Sequence, residues 1–221
     1  MYVLYRHTGD CIMDIMREIR KKAKTEELDY LFLMGCLSRY KQPRTKLTTL
    51  LKSKNIIRVK KGLYVFGKDF RSRPFSLEVL ANLIYGPSYI SFEYALAYYG
   101  MIPEKVNRIT SVCSKRIKQI KTPVGEFIYY YLDPKKYPVG ITWESIDDNT
   151  HFLIATKEKA LADLVARQKP FSDQDELLTY LVEGMRIDPD DIYALRQPLM
   201  KDIAYIYKNS QVDLLCKILK K

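Results

Sequence analysis

Apolar side chains recur every three or four residues from Cys11 to Ala23, where charges separate Ile12, Ile15, Met16 and Ile19. That period predicts a first helix. A second is predicted over Glu26–Leu37, with Leu28, Leu31, Phe32 and Met34 on its apolar side. The stretch QPRTKLTTLLKSKN (42–55) predicts a third. Pro43 suits its first helical position, where the missing N–H is not needed. Leu47, Leu50 and Leu51 form one stripe, so the opposite face centres on Thr45, Thr49 and Lys52, flanked by Gln42, Lys46 and Thr48. Asn55 tolerates left-handed backbone and is placed to end this helix. The pattern then changes to period two in IIRVKKGLYVF (56–66). Ile57, Val59, Leu63 and Val65 alternate about a Lys60-Lys61-Gly62 turn. Two helices, a polar-faced helix and a basic ribbon follow one another in the order of a winged helix-turn-helix domain. Its third helix enters the major groove, and its ribbon flanks the backbone or the minor groove.

Arg71-Ser72-Arg73-Pro74 is a short polar break, which predicts a first domain over residues 1–72 and a second over 73–221. In the second, Ser76 caps a helix over Leu77–Tyr85 and Ser91 caps another over Phe92–Tyr99. Strands are predicted over Val106–Cys113, Ile117–Lys121, Glu126–Leu132 and His151–Ala155. Thr156 caps a helix with Ala160, Leu161, Leu164 and Val165 inward. Ser172-Asp173-Gln174-Asp175 reads as a capping box. Helices opening at Asp188-Pro189, Leu199 and Ser210 complete the chain. The predicted fold is α+β: an N-terminal winged helix-turn-helix domain, then a mixed α/β C-terminal domain of ~150 residues with a helical tail, large enough for its own core.

Charge sharpens this picture. The 221 residues carry a formal net charge of +11, and all of the excess lies in one stretch. From Arg39 to Arg73 there are twelve basic residues and one acid, Asp69, while the remainder holds 25 of each sign. A solvated lysine-rich face and a polyanion footprint both fit such a segment. Its placement on a polar-faced helix and the hairpin after it favours the footprint. A winged helix used for protein contact stays open.

The four cysteines, Cys11, Cys36, Cys113 and Cys216, form no CxxC pair, and the histidines are only His7 and His151. Neither a disulfide scaffold nor a structural zinc site is expected. The longest uncharged stretch, Val79–Phe92, is 14 residues and includes Gly86 and Pro87. A membrane span requires ~18–20. The first ten residues, MYVLYRHTGD, lack signal-peptide organisation. The expectation is a soluble, cytoplasmic protein without a membrane partner.

Catalytic motifs are missing: there is no GxSxG, HExxH, GxGxxG or P-loop. Asp173-Gln174-Asp175 and Asp188-Pro189-Asp190 are the DxD pairs, and both stand at helix starts, where Asp serves as cap and dipole partner. His151, at the head of an apolar strand, reads as structural. Cys113 reads as a small buried residue and Trp143 as a packing anchor. Tyr129, Tyr130 and Tyr131 read as a sheet face and edge. No catalytic residue, cofactor or metal ligand is nominated.

Four segments, in order, resemble the AbiEi-type antitoxins of abortive-infection systems: LLKSKNIIRVKKGLYVF (50–66), GPSYISFEYALAYYGMIPE (86–104), ITSVCSKRIKQIKTPVGEFIYYYL (109–132) and ATKEKALADLV (155–165). Asn55 stands where that family often has Gly. The resemblance implies a type IV toxin–antitoxin regulator. Its winged helix would bind operator repeats upstream of its own operon and repress it. Its C-terminal domain would counter a nucleotidyltransferase-like toxin without a stable complex.

The expectation is therefore a double-stranded-DNA-binding transcriptional repressor without enzymatic activity. Arg44, Lys46, Lys52, Arg58, Lys60 and Lys61 would meet phosphates, joined by Arg39 and Lys41 at the edge of the footprint. Thr45, Thr48 and Thr49 would approach base edges or thymine methyls. The rivals are a stand-alone winged-helix regulator, a protein-interaction module, and a metal-dependent nuclease or nucleotidyltransferase using carboxylates such as Asp163 or Asp190.

Overall fold

A computed structural model describes residues 8–219, with side chains from residue 12 onward. His7 and the side chain of Cys11 lie outside the described residues. The fold is mixed α+β. Two compact units divide it: residues 1–80 with 122–124, and residues 81–121 with 125–221.

In the first unit, α1 (Thr8–Lys22) buries Ile15, Met16 and Ile19. β1 (Glu27–Asp29), α2 (Tyr30–Cys36), α3 (Pro43–Lys52), β2 (Ile56–Lys60) and β3 (Leu63–Phe66) follow. The three strands form an antiparallel sheet in the order β1-β3-β2. Leu28, Leu33, Leu47, Leu50, Ile56 and Phe66 pack with the α1 side chains into one core.

Here the expectation of one helix over Glu26–Leu37 is corrected. Asp29 caps α2, accepting from the Phe32 N–H at 2.7 Å, so the three residues before it are free to pair with β3. The helix consequently turns Leu33, Cys36 and Leu37 inward and leaves Leu31 79% exposed. β3 lies between two strands, and Leu63, Tyr64, Val65 and Phe66 are all buried rather than alternating. A register shift between Arg58 and Lys60 changes the phase of β2, which buries Ile56 and Val59 and leaves Ile57 half-buried. Lys54, not Asn55, takes the left-handed conformation after α3, at φ 58°. Gly67 then passes so close that a Cβ there would lie 2.0 Å from the Lys54 carbonyl oxygen.

The chain enters the second unit within α4 (Leu77–Ile84), whose start Ser76 caps through the Val79 N–H. β4 (Ser88–Ile90), α5 (Phe92–Tyr98), β5 (Ile109–Cys113), β6 (Lys118–Thr122), β7 (Gly125–Tyr131), β8 (Ile141–Asp147) and β9 (Thr150–Ala155) come next. They build a six-stranded mixed sheet in the order β6-β7-β5-β4-β9-β8. The helical tail is α6 (Lys157–Val165), α7 (Gln174–Thr179), α8 (Pro189–Tyr193), α9 (Gln197–Tyr207) and α10 (Ser210–Ile218).

β4 and β8 were not expected from the sequence. β4 is only three residues, held between a Gly-Pro turn and Ser91, which takes the N-cap position of α5 without the expected side-chain cap because its hydroxyl donates to Asp163. β8 is an edge strand, and Trp143 on it is 62% exposed, so the packing-anchor reading is corrected. Two caps also shift by a residue. Asp173 caps α7 with Glu176 reaching back to Ser172, and Asn209 rather than Ser210 caps α10.

α6 runs through the interior, and every residue from Glu158 to Val165 is buried. Asp163 accepts hydrogen bonds from Tyr89 Oη at 2.9 Å, Ser91 Oγ at 2.6 Å and Tyr207 Oη. Lys159 donates to the Lys136 carbonyl at 2.6 Å, with its ammonium 4.6 Å from the Tyr207 ring centre. Burial pushes Lys159 down to about 8 and Asp163 upward, while the Lys159 charge and the three hydroxyls pull Asp163 back. Glu158 is held by Arg196 through its Nε at 3.0 Å and its backbone N–H at 2.9 Å.

Candidate nucleic-acid interface

The exposed side of α3 follows from its two faces. Leu47 and Leu50 are buried, which turns Arg44, Thr45, Thr48, Thr49 and Lys52 to solvent. No acid stands anywhere on this helix. The threonine hydroxyls are used locally: Thr48 donates to the Arg44 carbonyl at 3.0 Å, and Thr49 to the Thr45 carbonyl at 3.1 Å. Thr45 donates to Gln42 Oε1 at 3.2 Å. With its proton committed, each hydroxyl offers lone pairs and a methyl group outward. Those suit a base amino group or a thymine methyl better than a base acceptor.

After α3 the Lys54 turn brings the chain into β2. Arg58 is exposed on that strand, Lys60 is half-buried at its end, and Lys61 is exposed in the turn beside Gly62, whose φ is 89°. The bulge separates Arg58 from Lys60 in register.

The cations differ in how much charge they leave available. Arg39 pairs with Glu18, donates to Tyr40 Oη at 2.9 Å and lies over the Tyr40 ring. Glu18 also takes Lys22 at 2.9 Å, and these cations hold its carboxyl below the usual range, the Lys22 hydrogen bond most. Lys46 is half-buried, with its ammonium 5.4 Å from the Tyr40 ring centre. Lys41, Arg44, Lys52, Arg58 and Lys61 are exposed and make no carboxylate ion pair among the described residues.

No protein-family model matches this chain, and no curated protein matches it at a significant level.

Counting charge along the sequence missed a second basic stretch inside the neutral remainder. From Lys105 to Lys121 there are six cations and no acid. Lys105 and Arg108 precede β5, and the other four lie on or beside β6 in the second unit, where Lys115 and Lys118 approach the Tyr85 ring; Arg108 pairs with Glu126 at 3.0 Å and Lys121 lies 3.8 Å from the same carboxylate. The signal was available as a local window rather than as a total.

Three of the carboxylates considered for metal chemistry have partners within the fold. Asp173 and Asp188 cap helices, Asp188 accepting from the Asp190 N–H at 2.9 Å, and Asp163 lies in the buried network. His151 is exposed, 2.9 Å from Ser145 Oγ and edge-on to Trp143. Cys113 is buried, and burial pushes its thiol up. Among the described residues no helix is long and apolar enough to cross a membrane.

Proposed function

We propose that this chain is a double-stranded-DNA-binding transcriptional repressor whose first unit acts as a winged helix-turn-helix. The observation that carries the reading is the solvent-facing side of α3. It combines three threonines with Arg44 and Lys52, holds no acid, and leads directly into the basic β2–β3 turn. In this reading α3 lies in the major groove, with Thr45, Thr48 and Thr49 toward base edges, and Arg58, Lys60 and Lys61 meet the backbone or the minor groove. Phosphate contacts supply most of the affinity and set the register. The threonines supply the preference among sequences.

The antitoxin half rests on the resemblance alone. On that basis the operator is a repeat upstream of the chain's own operon, and the functional counterpart is a nucleotidyltransferase-like toxin encoded beside it.

Gel retardation of the full chain on its upstream region and on a scrambled duplex, across a salt titration, tests the reading. The upstream duplex should bind at least ~10³-fold more tightly at physiological salt. Equal affinity for both duplexes would refute a repressor. No retention of either at physiological salt would assign the basic segment to protein contact.

A further inference from the structure

The six-stranded sheet ends on two edges of opposite character. One edge is β6, which carries Lys118 and Lys121 beside Lys115, Arg116 and the 61%-exposed Ile117. The other is β8, with Glu144 and Asp147 on the strand and Asp148 just beyond it. No lysine or arginine occurs between Lys136 and Lys157. The apolar groups at this second edge are also open. Trp143 is 62% exposed, Ile146 39%, and Leu153, which faces Trp143 across the ladder, 39%.

Edge strands are commonly guarded by lysine, proline or a bulge. β6 has its lysines. β8 has one irregularity, between Ser145 and Asp147, and pairs regularly with β9 from Ile141 to Ser145. That run presents an unguarded edge beside an exposed indole.

The topology sets how two edges could meet. β8 is antiparallel to β9, β9 parallel to β4, β4 antiparallel to β5, and β5 parallel to β7. The tight turn at Thr122–Gly125 reverses the chain from β6 into β7. Three reversals leave β6 running opposite to β8. A second copy displaced along the sheet would therefore bring its β6 antiparallel to this β8.

We propose that β8 of one chain docks against β6 of a second copy, head to tail, so that the edge carrying Glu144 and Asp148 meets the edge carrying Lys118 and Lys121. Symmetric alternatives are disfavoured by charge. β8 against β8 places acids on acids, and β6 against β6 places lysines on lysines. Two short strands bury far less than the ~1,600 Å² of a standard interface, so the association is weak. A head-to-tail contact does not close on itself, so assembly grows with concentration rather than stopping at a dimer. Screening by salt weakens it.

Sedimentation velocity of the full chain tests this, with two charge-reversed variants: Glu144→Lys/Asp148→Lys, and Lys118→Glu/Lys121→Glu. Wild type should increase in average mass with concentration at low salt and return to monomer at high salt. Each variant alone should stay monomeric. An equimolar mixture should recover the wild-type behaviour, because each reversed edge then meets its complement, and that recovery also shows that both variants are folded. A wild type that is monomeric at every concentration overturns the proposal. So does self-association of the Lys118→Glu/Lys121→Glu variant by itself, or a mixture that stays monomeric.

Discussion

Removing charge from the α3–hairpin surface should change the salt dependence of DNA binding by an amount set by which cations are unpaired. Arg44, Lys52, Arg58 and Lys61 are exposed and have no carboxylate partner among the described residues. Each phosphate they neutralise adds about 0.9 to the slope of log affinity against log salt. Replacing all four with alanine should lower that slope by about 3.6. Between about 50 and 200 mM salt, wild type should then lose about 150-fold more affinity than the variant. Arg39 supplies the internal control. Glu18 already pairs with it, so Arg39→Ala should flatten the slope less than Arg44→Ala does. Fluorescence anisotropy of a labelled upstream duplex gives both slopes. A fourfold variant that retains the wild-type slope would show that these side chains do not meet phosphate. An Arg39→Ala variant as flat as Arg44→Ala would show that local ion pairing does not decide which cations act.

Two further outcomes concern buried carboxylates. Asp163→Ala removes the acceptor of three hydroxyls and leaves the fully buried Lys159 without its counter-charge, so urea unfolding should show a loss of about 3–5 kcal/mol; a loss below about 1 kcal/mol would refute the network's role. Burial raises Glu27, which keeps one oxygen on the Ser76 N–H and leaves the other unbonded, so its penalty is absent below the unfolded pKa and develops as pH rises through the folded one. Glu27→Gln should accordingly gain stability relative to wild type as pH rises from about 4 toward neutrality, and a difference that shrinks over that range would contradict the assignment.

What could be read in advance divides according to which contacts decide a residue's environment. α3 was legible because Pro43, the leucine stripe and the threonine face are local, and a helix with one buried side determines its other side. β1 was not, because Glu27–Asp29 become a strand only by pairing with Leu63–Val65, and nothing within a few residues of Glu27 encodes that partner. The same holds for β8, whose pairing with β9 overrode a stretch that reads as loop. Asp163 is the extreme case. Its partners Tyr89, Ser91 and Tyr207 are 74, 72 and 44 residues away, so its local pattern shows only a carboxylate in an apolar helix.

This difference bears on how the two units can be tested. The surface proposed for DNA consists of outward side chains on one helix and one hairpin, so truncating them should change binding and leave the fold intact. In the second unit the conspicuous polar groups, Asp163, Lys159 and Glu158, are buried within the helix that runs through the interior. Substituting them alters stability first, and any loss of function there reports unfolding unless stability is measured on the same protein. Side chains at the sheet edges, such as Trp143 and Lys118, carry no such confusion. They are exposed and can be exchanged without emptying the core. A role for the second unit should therefore be sought at its edges before its interior, because only there does a change in activity separate from a change in folding.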